Sequence, residues 1–247
     1  MLLPTNKPKD KDITPKLFFI WGQSMSGKTY LARQFPNPLI INTDGNAKKV
    51  TTPSVEVYDF ETFVKVLQEI EEGKHDFKTI IIDLVDDIKT MLQTYVCKKY
   101  SEQLKTEIND EGEVPYGKGY RDVKSTWQKL MVRLNQLPYN VIFISHVVQI
   151  TEDNQTIEQP SLEQKFYNMT MGRCDMSIKC RKIGQTYVQM CVDKRDAYSE
   201  ADVKDKAILE ILKNVKGVFP VTSGQAGEKT AKSPLKAVPL KKAEATE

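Results

Sequence analysis

The sequence has no apolar run near the roughly 20 residues that a membrane-spanning helix needs, which excludes a bilayer span of that kind. Its N-terminus, MLLPTNKPKDKD, lacks the roughly 7 to 15 apolar residues of a secretory signal, so the expected compartment is cytoplasmic. Cysteine is scarce: Cys97, Cys174, Cys180 and Cys191 form no CxxC pair and have no nearby histidine to complete a zinc site, so reduced thiols are expected. Histidine is scarcer still, with only His75 and His146. Charge of one sign is also lacking, because a net charge of +3 over 247 residues is too small to identify a nucleic-acid partner.

What the chain does have is alternation. Residues 1–16 mix Pro, Lys and Asp without periodicity and read as a flexible arm, and residues 217–247 form a Gly-, Ala-, Pro- and Lys-rich basic tail. Between them, one domain over 17–216 alternates short apolar runs with helical spacing. Strands are predicted at Leu17 to Trp21, Leu39 to Asn42, Val55 to Tyr58, Lys78 to Asp83 and Val141 to Ser145. Helices are predicted at TYLARQF after Lys28, Glu61 to Glu72, Leu84 to about Lys105, Asp122 to Leu137 and Ala201 to Val215. The unbroken run KTIIID argues for a strand buried on both faces, as in a parallel sheet. Hairpin character near Asp153-Asn154, helical spacing from Leu162 to Met171 and two strands flanking Gly184 suggest that the sheet finishes antiparallel. The fold class is α/β, with ligands expected at the carboxyl ends of the parallel strands.

The chemistry concentrates in GQSMSGKT. A phosphate-binding loop needs glycine where the backbone turns tightly, a lysine for the β and γ groups, and a Ser or Thr hydroxyl for magnesium. Gly22, Gly27, Lys28 and Thr29 meet these demands, with Gln23, Ser24, Met25 and Ser26 completing the loop and Tyr30 just beyond it. The preceding strand and the following helix supply the context that the pattern requires. ATP and Mg2+ are therefore the expected cofactors. Asp83 is the expected second magnesium ligand, though an aspartate there also suits a helix cap. Leu84 follows it, so the Asp-Glu pair of many AAA-type ATPases is missing. Asp44, in INTDG, is the candidate that orients water, on the expectation that its strand lies beside the phosphate-loop strand; a turn aspartate is the other reading. His146, after VIFIS, is either a sensor of the γ-phosphate or a satisfied core residue. Asp86 and Asp87 read as first-turn helix charges. Lys194 and Arg195 are either a solvated pair or cations that reach a neighbouring subunit's ATP.

These residues together resemble the RecA core, and in particular the small phage-encoded RecA-like ATPases of single-strand annealing recombination, over about residues 15 to 195. The resemblance implies a base at Asp44, a γ-phosphate sensor at His146, and two DNA-binding loops, at about Asp110 to Arg121 and Val147 to Phe166. In the first, Tyr116, Lys118, Tyr120 and Arg121 offer stacking and phosphate contacts, or else packing aromatics. It further implies ATP hydrolysis stimulated by single-stranded DNA, a homo-oligomer (ring or filament), and possible contact between the tail and a single-strand-binding protein. A small-molecule kinase and a non-catalytic nucleotide switch or loader are the rival readings, and no arginine-rich lid supports the kinase.

Overall fold

The structure is a computed structural model and describes residues 14–45, 51–152 and 155–220. Nine strands and six α-helices follow one another among the described residues: β1 (Leu17–Gly22), α1 (Lys28–Ala32), β2 (Pro38–Asn42), β3 (Ser54–Glu56), α2 (Phe60–Glu72), β4 (Thr79–Asp83), α3 (Val85–Leu104), α4 (Lys118–Gln136), β5 (Asn140–Ser145), β6 (Val147–Glu152), β7 (Gln155–Pro160), α5 (Gln164–Met171), β8 (Met176–Ile183), β9 (Thr186–Lys194) and α6 (Lys206–Lys213). Seven strands form one sheet in the order β3-β2-β4-β5-β1-β8-β9, and β6 pairs with β7 in a separate ribbon. Neighbours run parallel except β9, which returns antiparallel to β8. The expected α/β fold, with a mostly parallel sheet and an antiparallel finish, is the observed one.

Period-two alternation explains why β1 is apolar at every position but its last. Phe18 and Ile20 enter the core under α1 and α6, while Leu17, Phe19 and Trp21 enter the core under α2, α3, α4 and α5. Such a strand has no wet face, and β4, fully buried from Thr79 to Asp83, is built likewise. Two apolar layers thus clamp the strands, and the polar chemistry is left to the strand tips.

Several boundaries differ from the sequence reading. The last helix covers Lys206–Lys213 rather than Ala201 to Val215, because Asp205 caps it by accepting from Ala207 N and Ile208 N. Asp202, upstream, is tied to Ser199. The domain also extends past its expected ends. Lys16 N donates to Asp175, and Val218 is fully buried. Most of the expected arm and tail, and the hairpin turn at residues 153–154, lie outside the described residues.

Candidate functional site

The phosphate loop begins where β1 ends. A side chain at Gly22 would meet the Cys180 carbonyl of β8 at 2.2 Å, so only glycine lets the two strands close there. Gly27 has φ 88°, and Met25, at φ 60°, holds a left-handed conformation unusual for a non-glycine residue. Lys28 opens α1 and is buried; its ammonium donates to Gly22 O at 2.9 Å and Gln23 O at 2.8 Å, so the loop closes around it. Burial pulls the Lys28 ammonium below its ordinary value, and the nearby Asp83 carboxylate opposes that. The Ser26 hydroxyl is buried in the loop without a hydrogen-bond partner among the described residues. Ser24 and Tyr30 stand exposed beside it.

Along the carboxyl ends of β5, β4 and β2 lies an acidic flank. Thr29 Oγ1 donates to Asp83 Oδ2 at 2.7 Å. Burial raises the Asp83 carboxyl above its ordinary range, the Thr29 hydrogen bond opposes this, and Asp44 nearby adds to the rise. His146 Nδ1 lies 3.4 Å from Lys28 Nζ. Burial and then the Lys28 charge push the imidazole below its ordinary 6.5, so near neutral pH it presents an acceptor to the ammonium. Asp44, exposed, lies two residues past β2 and acts electrostatically on both Asp83 and His146. The structure therefore brings Lys28, Thr29, Asp83, His146 and Asp44 to one end of the sheet.

One expectation about that flank is corrected. The Asp44 strand does not lie beside the phosphate-loop strand; β5 and β4 separate β2 from β1. Strand neighbours in a parallel sheet are set by where crossovers pack, and chain order does not reveal them. Asp44 reaches the site along the flank of Asp83 instead, because Thr43 N donates to Asp83 O at 2.9 Å.

Asp86 stands in the first turn of α3, as expected, and does more there than charge the helix end. It accepts from Ser145 Oγ at 2.8 Å and from His146 N at 2.9 Å, and burial pushes its carboxyl up to about 6. It fixes the backbone that carries His146. Asp87 accepts from Thr43 Oγ1 at 2.6 Å and so anchors the tip that carries Asp44. Their position right after the buried strand was the available signal, but a helix charge and a strand anchor look identical in sequence.

The acidic flank suits a divalent cation. A threonine hydroxyl and a buried carboxylate are hard oxygen donors, and a cation would offset the desolvation that Asp83 suffers. No group of three or more His, Cys, Asp or Glu suited to a metal occurs among the described residues.

The remaining candidates are more scattered. Tyr116 is 96% exposed and holds φ 60°. Lys118, Tyr120 and Arg121 are exposed too, yet they occupy the start of α4 rather than the loop expected for them. The helix starts early because Gly117, at φ 64°, caps it and Gly119 seats against Glu111 O, where a side chain would lie 2.2 Å away. The second expected loop forms β6, β7 and the start of α5. Its Glu158 accepts from Gln23 of the phosphate loop at 3.1 Å and pairs with Lys179 at 3.0 Å and Arg181 at 2.5 Å. The hydrogen bonds from Lys179 and then Arg181 pull the Glu158 carboxyl down to about 2. Lys194 and Arg195 are not at this chain's own phosphate loop. Lys194 pairs with Met176 at the opening of β8, whereas Gly22 pairs with Cys180 near its close. Their head groups donate to backbone carbonyls, Lys194 to Gly217 and Val218 and Arg195 to Gly172 and Cys174.

A glycine-hinged loop closed on a buried lysine, with a Thr–Asp oxygen pair at its flank and a parallel sheet beneath, defines a P-loop nucleotide-binding protein. The chain belongs to the AAA domain family, whose pattern it matches over residues 14–215. It is also 24% identical over 144 residues to YorG, an uncharacterized SPbeta prophage-derived protein of Bacillus subtilis strain 168. That alignment covers 56% of this chain and 43% of the relative, so the chain spans under half the length of the curated protein it matches. No helix among the described residues is long and apolar enough to cross a membrane.

Proposed function

We propose that this protein is a magnesium-dependent ATPase of the phage RecA-like type, which binds single-stranded DNA, assembles as a homo-oligomer and supports DNA annealing or recombination in the cytoplasm of a host. The observation that carries the reading is the convergence of Lys28, Thr29, Asp83 and His146 at one sheet end, with Asp44 on their flank. Magnesium bound at Thr29 and Asp83 would neutralise the charge that develops on the phosphates. Lys28 binds the β and γ groups, Asp44 accepts a proton from the attacking water, and neutral His146 reports the γ-phosphate to the ribbon that follows it. The prophage origin of the relative supports the phage assignment.

For DNA, the support is Tyr116, an aromatic ring held in solvent by a left-handed backbone, with Lys118, Tyr120 and Arg121 beside it. Bases stack on such rings and phosphates pair with such cations. Lys194 and Arg195 would serve only across a subunit boundary, after release of the carbonyls they now hold. A single-strand-binding protein is the partner proposed for the basic tail.

The test is phosphate release with and without single-stranded DNA, for wild type, Lys28→Ala and Asp44→Asn. Stimulation by DNA, lost in both variants, with nucleotide binding kept in Asp44→Asn, is the expected result. Equal rates with and without DNA would remove the recombination reading. A second reading, a nucleotide switch without turnover, is favoured by Leu84 standing where a glutamate base would follow Asp83. Tight binding with no phosphate release, even beside DNA, would select it.

A further inference from the structure

A cavity of about 660 Å³ adjoins the phosphate loop, lined by Met25, Thr29, Tyr30, Lys182, Tyr187 and Gln189 among others. It reaches from Lys28 and Thr29, at the edge of the acidic flank, to the other side of β1. In the sheet order β4-β5-β1-β8-β9, the acidic flank occupies the β4 and β5 side, and the cavity faces the β8–β9 hairpin. Strand β1 stops at Gly22, opposite Cys180, while β8 continues to Ile183, so the hairpin overhangs the loop. Tyr187 stands on that overhang, its ring 3.2 Å from where a side chain at Gly27 would begin.

Three large side chains at the rim stand in water: Met25 is 88% exposed, Tyr30 68% and Tyr187 49%. Apolar surface gathered around one concavity beside a phosphate loop matches a ligand that is flat and apolar at one end and anionic at the other. The cavity is lined by Lys28 and Thr29 as well, so a triphosphate whose terminal group is held there has this open space continuous with it on the hairpin side.

We infer that this cavity takes the nucleobase, with Tyr187 as its stacking wall, and that it selects purines over pyrimidines without separating adenine from guanine. The inference rests on the nucleotide reading proposed above. Purines win because they present the larger stacking face. The edge is read weakly: Gln189 offers a donor and an acceptor on one amide, and turning the amide over suits either purine. Lys182, whose ammonium lies 5.4 Å from the Tyr187 ring centroid, supplies a cation for the inner phosphate.

The test is calorimetric binding of ATP, GTP, CTP and inorganic triphosphate, each with magnesium, to the full chain. The proteins compared are wild type, Tyr187→Ala, Tyr187→Phe and Lys28→Ala, with circular dichroism confirming that each is folded. ATP and GTP should agree within a few-fold, CTP should bind roughly 10-fold more weakly, and inorganic triphosphate more weakly again. Tyr187→Ala should lose roughly 10-fold or more for ATP and GTP while leaving inorganic triphosphate unmoved, and Tyr187→Phe should keep wild-type affinity. The inference is overturned if Tyr187→Ala binds ATP like wild type, or if ATP binds no better than inorganic triphosphate. If inorganic triphosphate instead fails to bind wild type, or binds Lys28→Ala equally well, the phosphate-loop reading fails and takes this inference with it.

Discussion

On the β5–β4 side of the phosphate loop, Lys28 and Asp83 are buried, Asp86 is half-buried, and each polar head is committed to hydrogen bonds. On the β8–β9 side, Met25, Tyr30 and Tyr187 present apolar surface to solvent. The contrast separates two physical tasks. A buried charge cannot move without stranding its partner, so the acidic flank fixes a geometry. An exposed ring loses little when a ligand arrives and gains what the ligand covers, so the aromatic flank supplies affinity and tolerates variation.

The sharpest break in this comparison is Lys28→Ala. It should abolish triphosphate binding and lower turnover by roughly 1000-fold or more, as phosphate release and calorimetry would record. Retained turnover would mean that the buried flank is not where chemistry occurs. Asp44→Asn should be milder, roughly 100-fold in turnover with the dissociation constant of ATP unchanged, since the substitution leaves phosphate binding intact. A parallel loss of affinity would move Asp44 from chemistry to binding.

Tyr116→Ala probes a third surface, exposed like the aromatic flank but borne by the turn before α4. Its affinity for single-stranded DNA should fall roughly 5- to 100-fold in a fluorescence anisotropy titration, while turnover without DNA stays at the wild-type rate. Unchanged DNA affinity would reassign that ring to another partner.

The smallest effect concerns the ribbon that links the two sides. Glu158 is drawn to about 2 from its ordinary 4.5 by the hydrogen bonds from Lys179 and Arg181. A carboxyl depressed by folding contributes stability above its unfolded value, here about 4.5, and loses it as pH falls through about 2. Glu158→Gln should therefore lower the melting temperature by roughly 2–8 °C near neutral pH, and the gap should close as pH is taken from about 5 towards 3. A gap of constant size across that range would show that packing, not charge, ties the ribbon down.

How legible these parts were from the sequence depended on how local they are. The parallel strands were found because a run such as TIIID, buried on both faces, has few alternatives. The start of α4 was misplaced by four residues because Gly117 caps it with a left-handed backbone and Gly119 seats against Glu111, neither of which periodicity registers. Asp83 was assigned from its place at a strand tip. Asp86 was not, since its partners Ser145 and His146 come from a distant stretch of chain.

The amino-acid order alone settled the phosphate loop: its glycines, lysine and threonine are consecutive, and the backbone turn that joins them is a short-range property. Which strands became neighbours, and so which side chains stand on either side of that loop, was decided only when the two apolar faces of the sheet packed against their helices. Burial of long-range partners carries that choice, and Tyr187 meets Gly27 solely because β8 closes on β1.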